Sequence, residues 1–121
     1  MSKKILMVED TEDNRQLLRD LFESTDYELL EAIDGAAGIA MAATHKPDLI
    51  LMDIQLPVLD GYETTRRLKN NPETRHIPII AVTSYALADD EAKVKAAGCD
   101  AYITKPFSPR LLLAKVREFL D

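Results

Sequence analysis

The chain has 121 residues, of which 46% are hydrophobic and 30% charged, a balance typical of one globular domain and unlike that of a disordered or collagen-like chain. Its formal net charge is −6, so its surface repels phosphate backbones and direct binding to nucleic acid is not expected. The lone Cys99 cannot form an internal disulfide, and the first apolar run, residues 5–8, is too short for a signal peptide or a membrane span. We therefore expect a soluble, cytoplasmic protein with no membrane contact.

The first half of the chain alternates short apolar runs with amphipathic stretches. The run at residues 5–8 is mostly non-alternating, which predicts a strand buried on both faces. A helix follows, and its apolar face carries Leu17, Leu18, Leu21 and Phe22. Further strands are predicted over 29–32 and 49–52. The helix between them begins at the N-cap Asp34 and places apolar residues at helical spacing, namely Ala36, Ile39, Ala40 and Ala43.

The second half continues this alternation. A helix, a strand, a weaker helix and a strand are predicted, in that order, over residues 62–69, 79–82, 89–97 and 101–103. Gly98 follows the weaker helix, at the position where helices favour glycine. The last helix begins at the cap Ser108 with Pro109 in its first turn, and it directs inward Leu112, Val116, Phe119 and Leu120.

The resulting order, βαβαβαβαβα, predicts an α/β fold with a parallel sheet between two layers of helices. Five strands in a chain of this length favour the doubly wound, flavodoxin-like (βα)5 architecture, a three-layer sandwich. Ligands of such folds bind beyond the carboxyl ends of the strands. The residues that follow each strand are therefore the candidates for a functional site.

Polar side chains follow four of the five predicted strands, in chain order Glu9 with Asp10, Asp53, Thr83 with Ser84, and Lys105 with Pro106. A parallel sheet brings these strand ends to one rim, where three carboxylates repel one another. A hard divalent cation with oxygen ligands removes that conflict, so we predict a Mg²⁺ site with coordination left for a phosphate. Lys105 and Thr83 are suited to contact the phosphoryl oxygens.

Asp53 is the candidate nucleophile, because a carboxylate can attack phosphorus to give an aspartyl phosphate. Phosphoryl transfer asks a protein mainly for positioning and charge balance. The sequence has neither of the glycine-rich nucleotide-binding motifs, and its four glycines form no phosphate-cradling loop. We therefore expect the donor to be a phosphorylated partner or a small activated phosphate.

Each of these residues also has a structural interpretation when it is taken alone. Asp53 fits a turn, the acids Glu9 and Asp10 fit a solvated turn or a helix cap, and Thr83 fits a strand. Thr11 can cap the first helix instead, which leaves both acids free for a metal. The companion acids and the lysine, all at strand ends, favour the phosphate site over these separate interpretations.

The whole chain resembles the receiver domain of two-component response regulators, the CheY-like superfamily, and most closely the stand-alone, DivK-like regulators. The resemblance rests on matches in order along the chain: Val8-Glu9-Asp10, Leu51-Met52-Asp53-Ile54-Gln55-Leu56-Pro57, Gly61, Val82-Thr83-Ser84 and Tyr102-Ile103-Thr104-Lys105-Pro106. It implies the strand order 2-1-3-4-5, and one receiver domain over residues 1–121 with no output domain.

The resemblance also implies a role for each matched position. Asp53 would accept the phosphoryl group, and Mg²⁺ would be held by Asp10, Asp53, the backbone carbonyl of Gln55 and, through water, Glu9. The remaining positions would have these roles: phosphoryl contacts from Thr83 and Lys105, an aromatic switch at Tyr102, a cis Lys105-Pro106 peptide bond, and backbone geometry at Gly61.

These roles would make the chain a signalling switch of a two-component system or phosphorelay. A sensor histidine kinase or histidine phosphotransfer protein would dock near the first helix and phosphorylate Asp53. A downstream protein effector would contact the fourth helix, fifth strand and fifth helix. The chain would catalyse only its own phosphorylation and dephosphorylation, and it would be a monomer by default, with dimerisation through that same face as the alternative.

Three other functions compete with the switch. An aspartyl-phosphate hydrolase of the common type has a second aspartate two residues after the nucleophile, where this chain has Gln55, which cannot exchange a proton in that way. A phosphorylation-independent binding module usually lacks an acid, the threonine or the lysine, and all are present here. A transcription factor would need DNA-binding elements outside this sequence.

Overall fold

The computed structural model describes residues 2–84 and 88–121, in which strands and helices alternate along the chain. In chain order they are β1 (Lys4–Val8), α1 (Glu12–Phe22), β2 (Glu28–Ala32), α2 (Gly35–His45), β3 (Leu49–Asp53), α3 (Gly61–Lys69), β4 (Ile79–Thr83), α4 (Ala88–Ala97), β5 (Ala101–Thr104) and α5 (Pro109–Leu120). All strand pairs are parallel and the sheet order is β2-β1-β3-β4-β5, which confirms the doubly wound α/β fold. Within the described residues, every helix is too short or too polar to cross a membrane.

Two hydrophobic cores lie on opposite faces of the sheet, because successive side chains of a strand point in opposite directions. In β3, Leu49 and Leu51 belong to the core formed with α1 and α5, which we call the α1–α5 core. Ile50 and Met52 belong to the core formed with α2, α3 and α4, the α2–α4 core. All four side chains are at most 1% exposed, as expected for a central strand covered by helices on both sides.

The buried face of α2 differs from the predicted one. Its buried residues are Gly35, Gly38 and Ala42. Of the four predicted residues, Ile39 is half-buried and packs against the α2–α4 core, but the prediction was wrong for Ala36 and Ala40, which are exposed. A Cβ added at Gly38 would lie 2.8 Å from Cγ2 of Val8, which shows that the helix backbone approaches β1 through its glycines. The spacing of the alanines predicted the wrong face of α2 because the closest contact with β1 is made by a glycine, which has no side chain.

The helix ends agree better with the sequence. The carboxylate of Asp34 accepts a hydrogen bond from the Ala37 N–H at 2.7 Å, which confirms the predicted cap of α2. Ser108 caps α5 and Pro109 is the first residue of that helix. Gly98 follows α4 with a φ of 102°, a conformation that glycine adopts without strain.

The inward face of α1 is narrower than predicted. Leu18 and Phe22 are buried in the α1–α5 core and Leu21 is half-buried, but Leu17 is 54% exposed. The buried pair is spaced i, i+4, and Leu17 lies one position before it, about 100° around the helix from Leu18. Its exposure places a large apolar side chain on the surface beside the carboxyl edge of the sheet.

Candidate functional site

Three carboxylates meet at the carboxyl edge of the sheet. Glu9 follows β1 and Asp53 ends β3; the two strands are parallel neighbours, and the register pairs Val8 with Met52. Glu9 and Asp53 are each only 4% exposed, whereas Asp10 is exposed. One oxygen atom from each of the three acids lies within 4.8 Å of the other two, so the cluster is close enough to share one ligand.

Lys105 brings a cation to this cluster from the end of β5. Its Nζ atom lies 3.4 Å from Oδ1 of Asp53 and 3.5 Å from Oε1 of Glu9. Its backbone N–H donates a hydrogen bond to the carbonyl oxygen of Thr83 at 2.6 Å, and the Lys105-Pro106 peptide bond is cis. One ammonium group therefore lies between two buried carboxylates.

The electrostatics of the cluster fit a bound cation. Burial is the largest cause that raises the pKa of Glu9 above its usual value, and the nearby Asp53 carboxylate raises this pKa further. The Thr11 N–H, which donates to Oε2 of Glu9 at 3.0 Å, and the Lys105 ammonium act in the opposite direction without cancelling the increase. The cluster offers three oxygen donors, and its negative charge exceeds the single positive charge of Lys105. Hard divalent cations prefer such a set of donors.

The hydrogen bond to Glu9 also corrects the prediction for Thr11. Thr11 occupies the N-cap position of α1, but among the residues that the structure describes its side chain makes no capping hydrogen bond. Instead its backbone N–H donates to the Glu9 carboxylate two residues earlier. Glu9 is therefore not freed by a threonine cap, and its longer side chain reaches both this N–H and Lys105.

Gln55 and Ser84 lie at the edge of the cluster. The backbone N–H of Gln55 donates to Oδ1 of Asp53 at 3.1 Å. The Ser84 hydroxyl donates to the Gln55 side-chain oxygen Oε1 at 3.0 Å, which links the loop after β3 to the end of β4. This link was not predicted, because a hydrogen bond between side chains 29 positions apart in sequence leaves no local pattern.

Gly61 closes the loop that follows Asp53. Its N–H donates to the carbonyl oxygen of Ile54 at 3.0 Å as α3 begins. A Cβ at this position would overlap the carbonyl oxygen of Asp53 and lie 2.5 Å from Cα of Ile54. The loop thus returns to the end of β3 at a distance that only glycine permits.

Thr83 and Tyr102 lie on the side of the sheet that faces the α2–α4 core. Thr83 ends β4 and is 1% exposed, and it pairs with Thr104 in the register of β4 and β5. Tyr102 lies two residues before Thr104, so the side chains of Thr83 and Tyr102 point to the same face. Tyr102 is half-buried and packs against the α2–α4 core.

A cleft of about 740 Å³ opens beside the carboxylates, between α1 and the segment that follows β5. Its floor includes Asp53 and Lys105, and its walls are largely apolar, with Leu17 and Leu21 from α1 and Phe107 from the opposite side. The sequence did not predict this cleft, because Leu17 was expected to point into the core. An apolar cleft beside a charged cluster is a usual form of ligand or partner site.

In a comparison with models of protein families, the family described as the response regulator receiver domain matches residues 5–117 of this chain. The chain belongs to this family. The polar-differentiation response regulator DivK of Brucella anthropi is 45% identical to this receiver domain over 120 residues, which are 99% of this chain and 98% of the relative.

Solved receiver structures superimpose closely on this one. The receiver domain of a Pseudomonas aeruginosa sensor histidine kinase, solved with a magnesium ion coordinated in its active-site cleft, has a TM-score of 0.91 at 34% identity and covers 99% of this chain and 98% of its own. The Vibrio cholerae chemotaxis protein CheY4 has a TM-score of 0.92 at 27% identity, with 98% and 99% coverage. These similarities confirm the CheY-like fold.

Membership of the family fixes the general role of the chain. It is a DivK-like response regulator of two-component signalling, and histidine kinases or phosphotransfer proteins are the partners of such domains. Receiver domains bind a divalent metal ion through an acidic cluster, which in this chain is formed by Glu9, Asp10 and Asp53.

Proposed function

We propose that Asp53 is the phosphoacceptor of this receiver domain and that its phosphorylation depends on Mg²⁺. The observation that carries the proposal is the position of Asp53, a nearly buried carboxylate at the end of the central strand, on the floor of the cleft. Gln55 N–H and the Lys105 ammonium both contact its Oδ1 atom. Within the described residues Oδ2 makes no hydrogen bond, so we assign to Oδ2 the attack on phosphorus.

The same cluster supplies the ligands of the proposed metal site. Asp10, Asp53 and the backbone carbonyl of Gln55 would hold Mg²⁺ directly, and Glu9 would act through water. The excess of buried negative charge around Glu9 supports this assignment. When bound, Mg²⁺ would neutralise charge on the carboxylates and on the phosphoryl oxygens.

Lys105 and Thr83 are the proposed contacts of the phosphoryl group. In the structure the Lys105 ammonium lies between Asp53 and Glu9, within a short movement of any group attached to Asp53. It can exchange part of its pairing with Glu9 for pairing with a phosphoryl oxygen. The Thr83 hydroxyl, at the end of the neighbouring strand β4, would donate a hydrogen bond to another phosphoryl oxygen.

We further propose that Tyr102 reports the phosphorylation. Thr83 and Tyr102 point to the same face of the sheet, so a shift of Thr83 toward the phosphoryl group leaves space into which the Tyr102 ring moves. The result is a shift between two states of the surface formed by α4, β5 and α5, which a protein effector reads. The chain then acts as a cytoplasmic, monomeric switch that catalyses only its own phosphorylation and dephosphorylation.

The phosphodonor is proposed to dock over α1. Leu17 is exposed at the cleft that leads to Asp53, and an apolar surface beside an acceptor group suits a histidine-bearing helix of a kinase or phosphotransfer protein. In the transfer, a bond forms between Oδ2 of Asp53 and phosphorus while the bond from phosphorus to the histidine nitrogen breaks, and that nitrogen keeps the electron pair.

The deciding experiment is intact-mass measurement after incubation with acetyl phosphate and Mg²⁺, beside an Asp53→Asn control. We expect one added phosphoryl group on the native chain, and none on the variant or in the presence of a chelator. Labelling that persists in Asp53→Asn would show that another residue is the acceptor. Steady release of inorganic phosphate over many turnovers, without an adduct, would favour a hydrolase instead.

A further inference from the structure

Arg15, the fourth residue of α1, reaches back to the loop that carries the acids. Its Nη1 atom donates a hydrogen bond to the backbone carbonyl oxygen of Glu9 at 2.9 Å. Its Nη2 atom donates to Oε2 of Glu12 at 2.7 Å, and its Nε atom lies 3.5 Å from Oε1 of Glu31 in β2. The Arg15 side chain is only 12% exposed, so it is held in a largely buried position and does not extend into solvent.

The bond to Glu9 holds one particular peptide group. The carbonyl of Glu9 and the N–H of Asp10 belong to the same planar unit, so fixing the carbonyl fixes the orientation of the peptide between the two acids. Glu9 is also held by its N–H, which donates to the Ala32 carbonyl at 3.0 Å, and by its carboxylate, which accepts from Thr11. Asp10, exposed beyond this peptide, depends on it for its direction.

The charge of Arg15 is compensated away from the acidic cluster. Glu12 accepts a charge-assisted hydrogen bond from its guanidinium, which belongs to the stronger class of hydrogen bonds, and Glu31 forms an ion pair with it. Arg15 can therefore hold the loop without placing an unbalanced positive charge beside a cation site.

Arg19 provides a matched comparison within the same network. It contacts the same two acids, with Nη2 at 2.9 Å from Oε1 of Glu12 and Nε at 2.7 Å from Oε2 of Glu31. Its hydrogen bonds go to side chains of α1 and β2, and none of those described goes to the loop that carries Glu9. The two arginines thus share their acidic partners and differ in the bond to the Glu9 carbonyl.

We propose that Arg15 is a positioning residue for the metal site: by holding the peptide between Glu9 and Asp10 it sets the affinity for Mg²⁺. This inference rests on the proposed function, in which these acids hold the ion. Groups that orient metal ligands from outside the coordination sphere typically change metal affinity by about 10- to 100-fold when they are removed. Arg15 acts through the backbone, so we expect the lower end of that range.

The test compares Arg15→Met with Arg19→Met, since methionine keeps an unbranched apolar side chain and removes all donors. The Mg²⁺ Kd is measured by titrating MgCl2 into ¹⁵N-labelled protein and following amide shifts, and the melting temperature is measured in chelator. We expect similar losses of melting temperature in both variants, a roughly tenfold weaker Kd in Arg15→Met only, and a Kd for Arg15→Lys between those of Arg15→Met and the native chain.

The outcomes separate this inference from the function on which it rests. A native Kd in Arg15→Met, or equal weakening in both methionine variants, would overturn the positioning role while leaving the metal site intact. Absence of Mg²⁺ binding by the native chain at millimolar concentrations would instead overturn the metal site itself. If Arg15→Met does not fold, Arg15→Gln and Arg19→Gln make the same comparison with the same expected difference.

Discussion

Replacement of Gly61 by alanine tests how tightly the loop after Asp53 is built. The added Cβ would overlap the Asp53 carbonyl oxygen and lie 2.5 Å from Cα of Ile54, about 1 Å closer than carbon atoms pack without strain. Both neighbours are backbone, so relief requires the strand end or the helix start to move. Overpacking of this kind costs about 1–3 kcal/mol, and alanine recovers up to about 1 kcal/mol of helix propensity.

We therefore expect Gly61→Ala to lose about 2 kcal/mol of unfolding free energy, near the upper end of the overpacking range less the helix gain. For a domain of this size that is a fall of roughly 8 °C in melting temperature, measurable by circular dichroism. Because the displaced atoms belong to Asp53 and Ile54, the rate of phosphorylation by acetyl phosphate should fall as well.

Gly38→Ala is the control for this prediction. Its Cβ would meet Cγ2 of Val8 at 2.8 Å, but that neighbour is a side-chain methyl group that can adjust, and the site lies inside α2, where alanine is favoured. We expect a loss below about 1 kcal/mol and an unchanged rate of phosphorylation. A melting temperature of Gly61→Ala equal to that of the native chain would refute the argument from close approach.

Two further substitutions test the charges of the site. The pKa of Glu9 is raised in the folded protein above its ordinary value of 4.5, so the stabilisation that Glu9 contributes is present below pH 4.5 and is lost as the pH rises through the folded pKa. Without Mg²⁺ at pH 7, Glu9→Gln should therefore melt at a higher temperature than the native chain. Mg²⁺ at about a hundred times its Kd should raise the unfolding free energy of the native chain by about 2.7 kcal/mol and its melting temperature by roughly 10 °C, and should raise those of Glu9→Gln much less. An equal gain in both proteins would show that Glu9 does not take part in the metal site. Lys105→Ala should still be labelled at Asp53 but should lose the surface change, measured as amide shifts in α4 and α5 on adding beryllofluoride. Shifts equal to those of the native chain would show that Lys105 does not relay the signal.

The sequence predicts those site residues that lie at the ends of strands. Glu9, Asp53 and Lys105 each follow an apolar run, and a parallel sheet brings such positions together whatever their distance in sequence. The face of α2 was missed because Gly38 packs through its backbone, which hydropathy does not register. The contact between Arg15 and Glu9 was also missed, because a hydrogen bond to a backbone carbonyl does not depend on the residue type at that position.

The alternation of side chains along each strand has a consequence for how the chain can evolve. Asp53 continues the set of Leu49 and Leu51, which packs toward α1 and α5, whereas Tyr102 packs toward α2, α3 and α4. Asp53 and the Tyr102 side chain therefore point to opposite faces of the sheet, so the switch proposed above has to act across it. Loss of one residue from β3 would turn the Asp53 side chain to the opposite face of the sheet, so a deletion in this strand would remove Asp53 from the site even though the acid itself is kept.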